Sequence, residues 1–235
     1  MGGTGLGGLA AYLFRRGTDR TVSVLLSFAA GMMLAVVCAD LLTDAIQAGP
    51  GLSALPAASA SVLAGCGGIW LLEELVSGLQ AGAKPGGLFL AGVVMAAAIA
   101  LHNLPEGMVI GASYAADLAE AGQDGRMMAL VIGLHNIPEG MAVAVPLAAG
   151  GASRGRAVLT TAAAGAPTVL GAVLGFCLGT MGPGLQMLTL GGASGAMLYV
   201  VFGELLPESF RLCRSPAPVM AAVLGVLTGM GVVLG

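Results

Sequence analysis

Long apolar stretches follow one another along almost the whole chain, and the charged residues are confined largely to the short segments between them. Only 9% of the 235 residues are charged and 57% are hydrophobic, whereas a soluble domain has about 25% charged residues. A chain with so few charges cannot cover its surface against water. The sequence therefore predicts a polytopic membrane protein, in which the rare buried charges carry the information about function.

Eight apolar stretches are bounded by charged or turn-forming residues, as membrane helices are. The connecting loops are short, so we predict an all-α chain with a single transmembrane domain over residues 1–235 and no soluble domain. The first stretch is shorter than the ~20 residues of a perpendicular span, so it either begins upstream or lies obliquely. The predicted helices cover residues 2–14, 21–46, 54–77, 87–114, 126–149, 157–181, 184–206 and 217–235.

The basic residues indicate the orientation of the chain in the membrane. Of the nine Lys and Arg residues, eight fall in the first, third, fifth and seventh loops, and only Arg126 falls in an even-numbered loop. Because loops rich in Lys and Arg stay in the cytoplasm, we predict that both termini lie outside, on the periplasmic side of a bacterial inner membrane. So few basic residues, with a net charge of −3, also argue against nucleic-acid binding.

Two internal repeats predict a pseudo-symmetric arrangement. Residues 101–107 (LHNLPEG) recur as residues 134–140 (LHNIPEG), and residues 31–45 resemble residues 195–209 at an offset of 164. In the predicted orientation, the two members of each pair cross the membrane in opposite directions. Inverted repeats of this kind build transporters with a substrate site near the bilayer midplane. We therefore expect helices 1–3 and 6–8 to surround helices 4 and 5.

The shorter repeat places ionisable groups in the middle of the fourth and fifth predicted helices. His102 and Glu106 lie four residues apart on one helix face, and the second copy repeats this spacing with His135 and Glu139. Buried carboxylates need a proton or a cation as partner. Imidazole and carboxylate groups that converge on one point favour a divalent transition metal such as zinc. The alternative is a polar network that only fixes helix packing.

The asparagines and prolines of the motif also bear on how a metal would be bound. Asn103 and Asn136 would place amide oxygens beside the carboxylates, which allows a binuclear site if the two glutamates bridge the metals. Pro105 and Pro138 lack a backbone N–H, so each frees a carbonyl and interrupts its helix. Interrupted helices near the midplane expose oxygens to cations in transporters.

The longer repeat contains a further pair of acids. Asp40 in the second predicted helix aligns with Glu204 in the seventh. The two carboxylates would lie on opposite sides of the centre, along a pathway for cations. The alternative is a carboxylate that bonds to a neighbouring helix or extends to the membrane interface.

Together these residues resemble the ZIP (Zrt/Irt-like) family of divalent metal transporters, and its bacterial GufA-like and ZupT-like branch in particular. The likeness is carried by H-N-[LI]-P-E-G in two consecutive helices and by GAMLYVVFGELLPES in the seventh. It implies eight helices, often in a homodimer, with alternating access and net uptake into the cytoplasm. It also implies one metal held by His102, Glu106, His135 and Glu139, and a second held by Asn103, Asn136 and the same two glutamates.

The chain departs from the family pattern at one position that concerns the second metal. Relatives often have a Glu before a Pro in the sixth helix, where this chain has Ala166 before Pro167. The resemblance therefore implies a second site that lacks one ligand, is weaker, or is completed by water.

We predict a transporter of divalent transition-metal cations, with Zn²⁺ as its bound substrate, rather than an enzyme. A zinc peptidase would need H-E-x-x-H on one helix, and the chain has no such sequence. Two alternatives stay open. The same fold could transport iron, manganese, cadmium or another divalent metal, or the protein could be a membrane metal sensor that binds metal without moving it.

Overall fold

The computed structural model describes residues 2–11, 19–49, 51–80, 87–120 and 124–233. Within these ranges the chain is helical and contains no strand, as expected where the backbone must satisfy its own hydrogen bonds in lipid. Eight helices form, and they confirm the predicted fold class. They are α1 (Gly2–Ala10), α2 (Asp19–Gln47), α3 (Leu55–Gln80), α4 (Gly87–Glu120), α5 (Asp124–Ala149), α6 (Arg154–Gly179), α7 (Pro183–Leu212) and α8 (Pro216–Val233).

Two helices extend six residues beyond their predicted ends. We placed the end of the fourth at residue 114, but α4 continues to Glu120 because the added segment is rich in Ala, Leu and Glu, which are strong helix formers. We placed the end of the seventh before Pro207, but α7 continues to Leu212. A π-helical turn directly precedes this proline and already displaces the regular hydrogen-bond ladder. The predicted helix ends at residues 12–14 and 234–235 lie outside the described residues.

Four of the described helices are long and apolar enough to cross a membrane. By length and composition, α2, α6, α7 and most of α5 qualify as complete spans, and shorter apolar segments occur in α3 and α8. Large apolar side chains point away from the bundle, among them Leu63, Leu170 and Leu227. Exposed apolar surface of this extent suits contact with lipid rather than with water.

The helix contacts follow the predicted inverted repeat. α4 packs on α6 as α5 packs on α1, and α2 packs on α8 as α7 packs on α3. The central helices α4 and α5 also contact each other. In each pair of equivalent contacts, a helix of the first three in one contact corresponds to a helix of the last three in the other. The expected arrangement of helices 1–3 and 6–8 around a central pair is therefore confirmed.

The longer repeat has a structural counterpart in two π-helical turns. One turn spans Val37–Leu41 in α2 and the other spans Val201–Leu205 in α7, so they lie at the same offset of 164 as the sequence repeat. Asp40 and Glu204 lie inside these turns. π turns are rare and concentrate at functional sites. Their occurrence at equivalent positions in the two halves of the repeat therefore makes both turns candidates for a functional role.

Glycines of the shorter repeat bring the central helices against their outer neighbours. A Cβ added at Gly107 in α4 would overlap the backbone carbonyl of Thr168 in α6. The equivalent Gly140 in α5 stands in the same relation to the carbonyl of Thr4 in α1. Close backbone approach through small residues is what drives helix association in lipid. The glycine that ends each motif therefore fixes how near α4 and α5 lie to α6 and α1.

Candidate metal centre

Three ionisable side chains meet where α4 and α5 cross. Glu106 comes from α4, whereas His135 and Glu139 lie one turn apart on α5, and all three are fully buried. One ligand atom from each residue lies within 4.8 Å of the other two. Nε2 of His135 and Oε1 of Glu106 are 3.0 Å apart and form a hydrogen bond between the helices. The duplicated motif thus brings three of its four ionisable groups to one point inside the bundle.

This group brings two buried carboxylates together in a part of the sequence that is poor in basic residues. Two ionised carboxylates in a buried site repel each other unless a proton or a cation lies between them. The sequence has no Lys or Arg at positions 85–125 or 127–153, and Arg126 is exposed at the start of α5. A divalent cation would supply positive charge between the two carboxylates. The site therefore has the electrostatic character of a cation-binding site.

The donor set also fits zinc in kind and in size. Zinc accepts imidazole nitrogen and carboxylate oxygen as ligands at about 2.1 Å, which places tetrahedral ligand atoms about 3.4 Å apart. The observed separations reach 4.8 Å, so small side-chain movements would close the group around one ion. The metal would then replace the hydrogen bond between His135 and Glu106, and its binding would compete with protons.

The two asparagines of the motif bond to each other beside this group. Nδ2 of Asn136 donates to Oδ1 of Asn103 at 3.2 Å, and the hydroxyl of Thr168 in α6 donates to the same oxygen at 3.0 Å. Nδ2 of Asn103 donates to the carbonyls of Ile99 and Ala164, at 2.9 and 3.1 Å. Asn103 thus uses all its hydrogen-bonding capacity. By contrast, Oδ1 of Asn136 is buried and accepts no hydrogen bond from a described residue.

The remaining predicted site residues have different outcomes. The backbone of His102 lies in α4, one turn before Glu106, but its side chain lies outside the described residues. Its role as a further ligand stays a prediction. Asp40 and Glu204 are partly exposed, and neither belongs to the buried group of three. Their role along a cation pathway also stays a prediction.

The prolines of the motif do not end their helices. Pro105 and Pro138 lie inside α4 and α5, which continue as helices past both residues. Each proline therefore removes one hydrogen-bond donor without separating its helix into two. The interruption near the site lies instead in α6, at Gly165–Ala166, directly before Pro167. Pro167 lacks a backbone N–H and Gly165 is a poor helix former, so the sequence at this position already carried a signal for the break.

Thr168 connects α6 to the motif and was not among the residues predicted from the sequence. It lies one residue after Pro167 and one turn after Ala164, whose carbonyl bonds to Asn103. A lone threonine in an apolar helix has no motif around it, so only the packing of α6 against α4 reveals its contact with Asn103.

Comparison with known proteins gives a consistent family. Residues 79–235 match the family model described as ZIP Zinc transporter. Zinc transporter ZupT of Chlorobium luteolum is 34% identical to the chain, over 97% of this chain and 90% of that protein. Zinc transporter ZIPB of Bordetella bronchiseptica is 35% identical, over 98% of this chain and 75% of its own length. Zinc transporter GufA of Myxococcus xanthus is 40% identical, over 48% of this chain and 44% of that protein.

Proposed function

Because this chain belongs to the ZIP zinc transporter family, we propose that it carries zinc across a membrane through the site formed by Glu106, His135 and Glu139. The observation that carries the proposal is the burial of all three side chains, at one point between two central helices. A dication that has lost its water cannot cross lipid by itself. Buried carboxylate and imidazole ligands supply the interactions that water gives up.

The site suits passage better than permanent retention of the metal. Its ligands are mixed oxygen and nitrogen donors, whereas structural zinc sites commonly use thiolates in closed tetrahedral cages. The ligands come from two helices that belong to opposite halves of an inverted repeat, the arrangement in which transporters expose one site to each side in turn. A small relative movement of α4 and α5 would open the group and release the ion.

Several finer features belong to the proposal. We place His102 as a further ligand of the same ion, and Asp40 and Glu204 along the pathway on either side of it. A second metal bridged by the glutamates would take Asn103 and Asn136 as ligands, without the carboxylate that relatives often have at the position of Ala166. Net uptake into the cytoplasm, a homodimer, and a single membrane domain without enzymatic activity complete the proposal.

The transport proposal is tested by flux measurements on the purified protein in liposomes. We expect saturable entry of radioactive zinc, and we expect excess unlabelled zinc to suppress it, because each protein molecule has a limited number of zinc-binding sites. Competition by Fe²⁺, Mn²⁺ and Cd²⁺ then ranks the metals. Binding of zinc without flux would favour the membrane sensor over the transporter. If another metal competed more strongly than unlabelled zinc, that metal would replace zinc as the proposed substrate.

The proposed orientation is tested by labelling a natural cysteine. Cys213 follows α7 directly and is partly exposed, between the basic residues Arg211, in the last turn of α7, and Arg214. In a variant whose other three cysteines are replaced by serine, we expect a membrane-impermeant maleimide to label Cys213 only after the cells are permeabilised. The reason is that loops rich in Arg stay in the cytoplasm.

A matched variant provides the control for this labelling. Met181, between α6 and α7, is 73% exposed and lies in a loop that we place outside. In the background without native cysteines, Met181→Cys should react in intact cells. Labelling of position 213 in intact cells, with position 181 protected, would reverse the proposed orientation.

A further inference from the structure

The backbone carbonyls that follow the two glutamates of the motif have different surroundings, although the repeat makes them equivalent. Val109 lies three residues after Glu106 in α4, and Ala142 lies three residues after Glu139 in α5, at the repeat offset of 33. Both residues are buried inside the bundle. In a regular helix each carbonyl accepts a hydrogen bond from the N–H four residues later, which belongs here to positions 113 and 146.

Ser113 gives the Val109 carbonyl in α4 an additional hydrogen-bond donor. The buried hydroxyl of Ser113 donates to this carbonyl at 3.0 Å, and the helix directs the N–H of the same residue to the same oxygen. A carbonyl oxygen has two lone pairs, so both are engaged at Val109. This oxygen therefore has no capacity left for a cation.

Pro146 leaves the equivalent Ala142 carbonyl in α5 without its helical donor. Proline has no backbone N–H, and its ring pushes against the carbonyl four residues earlier. The α5 helix nevertheless continues past Pro146, where the N–H of Gly150 donates to the Pro146 carbonyl at 2.9 Å. The helix thus keeps its course, while one carbonyl inside the bundle loses its regular partner.

The Ala142 carbonyl lies close to the metal group along α5. Pro146 follows Glu139 by seven residues and His135 by eleven, spacings close to whole numbers of helical turns, so the three residues share one face of α5. Ala142 lies about 4.5 Å beyond Glu139 along the helix axis, at 1.5 Å per residue. In the proposed orientation α5 runs toward the cytoplasm, which places this carbonyl on the inner side of the metal group.

We propose that the Ala142 carbonyl is a transient zinc ligand, which binds the ion as it leaves the buried group of three toward the cytoplasm. The inference rests on the proposed function of that group. A neutral carbonyl oxygen is a weaker ligand for zinc than imidazole, so it would hold the ion only briefly. The Val109 carbonyl offers no such ligand on the outer side, and the two sides of the site are therefore chemically unequal. The alternative is that Pro146 only bends α5.

Pro146→Ala tests the inference, because alanine restores the missing N–H and lets the helix bond the Ala142 carbonyl. We expect the maximal rate of zinc uptake into liposomes to fall about 3- to 10-fold, the range that one polar contact typically accounts for. The dissociation constant from titration with Zn²⁺ alone should stay near that of the parent protein, since the three buried side chains are unchanged. Thermal stability should not fall, because alanine is the better helix former.

A backbone variant separates the missing N–H from the bend that the proline ring causes. Lactic acid, the α-hydroxy acid analogue of alanine, is incorporated at position 146 by nonsense suppression in cell-free synthesis. It has an ester oxygen in place of the N–H and carries no ring, so the Ala142 carbonyl again lacks its helical donor. We expect this variant to transport zinc at the parent rate. Ser113→Ala is the matched side-chain control, because it keeps the N–H at the equivalent position of α4, and it should also transport as the parent protein does.

Two results would overturn the inference. One is uptake by Pro146→Ala at the parent rate. The other is an equal slowing of the ester variant, which would show that the bend of α5 matters rather than the carbonyl.

The failure of this inference differs from a failure of the proposed function. Glu139→Gln should weaken zinc binding whatever residue occupies position 146. If Glu139→Gln binds zinc normally, the proposed metal site itself is wrong. If Glu139→Gln binds zinc weakly but Pro146→Ala transports at the parent rate, the site stands and the role of the Ala142 carbonyl falls.

Discussion

Glu139→Gln should reduce saturable zinc uptake by at least about 100-fold, more than the 10- to 100-fold that is typical when only a supporting residue of a metal site is changed. The substitution keeps the shape of the side chain and removes its charge. Glu139 is fully buried within ligand distance of Glu106 and His135, so the loss of its carboxylate removes both a proposed ligand and one of the two buried carboxylates. Initial rates of radioactive zinc uptake into liposomes measure the effect.

The chain offers a control with the same chemical change. Glu208 lies near the end of α7 and forms a bidentate ion pair with the exposed Arg211, at 2.6 Å for both contacts. Ion pairs of this kind contribute little to stability, so Glu208→Gln should keep zinc uptake near that of the parent protein. Normal uptake by Glu139→Gln, at an equal amount of folded protein, would show that zinc crosses by another route.

The central pair of helices could be predicted from the sequence because its pattern is local. Glu106 and its repeat equivalent Glu139 each follow a histidine at a spacing of four, which sets one helix face. The segment between the two motifs is too short for anything but adjacent, oppositely directed helices. These two facts suffice to bring Glu106 and His135 together, as the structure shows at 3.0 Å.

Features that depend on a single residue within a helix could not be predicted in the same way. The π-helical turns at Val37–Leu41 and Val201–Leu205 each accommodate one extra residue, and an apolar sequence shows no periodicity from which such a shift can be read. The sequence repeat indicated that the two segments are equivalent, but not that both deviate from the α-helix. The same limitation led us to end the seventh helix before Pro207.

The environment of the site depends on packing between distant segments and was therefore less accessible. Thr168 contacts Asn103 across 65 positions of sequence, and this contact exists only because α6 lies directly on α4. The glycines that permit this approach are too frequent in the chain to identify the partner of α4, since Gly occurs 40 times. The buried group of three could thus be predicted from spacing, whereas the residues that pack around it required the fold.

Gly171→Ala should abolish zinc uptake and lower the thermal stability of the protein, although Gly171 is not a ligand. A Cβ at this position would overlap the backbone carbonyl of Leu104 in α4, two residues before Glu106. A single added methyl group therefore has to separate α6 from α4, at a typical cost of about 1–3 kcal/mol for overpacking. The separation would also break the contacts of Asn103 with α6, each worth about 0.5–1.5 kcal/mol.

The comparison that isolates this effect is the same substitution at a glycine with free space around it. A Cβ at Gly67 in α3 would meet no atom within 4 Å, and alanine is the better helix former, so Gly67→Ala should fold and transport as the parent protein does. Melting curves and zinc uptake in liposomes measure both variants. If Gly171→Ala matched Gly67→Ala in both measurements, α4 and α6 would be free to separate without loss, and the close contact between their backbones would not be what holds Glu106 in the site.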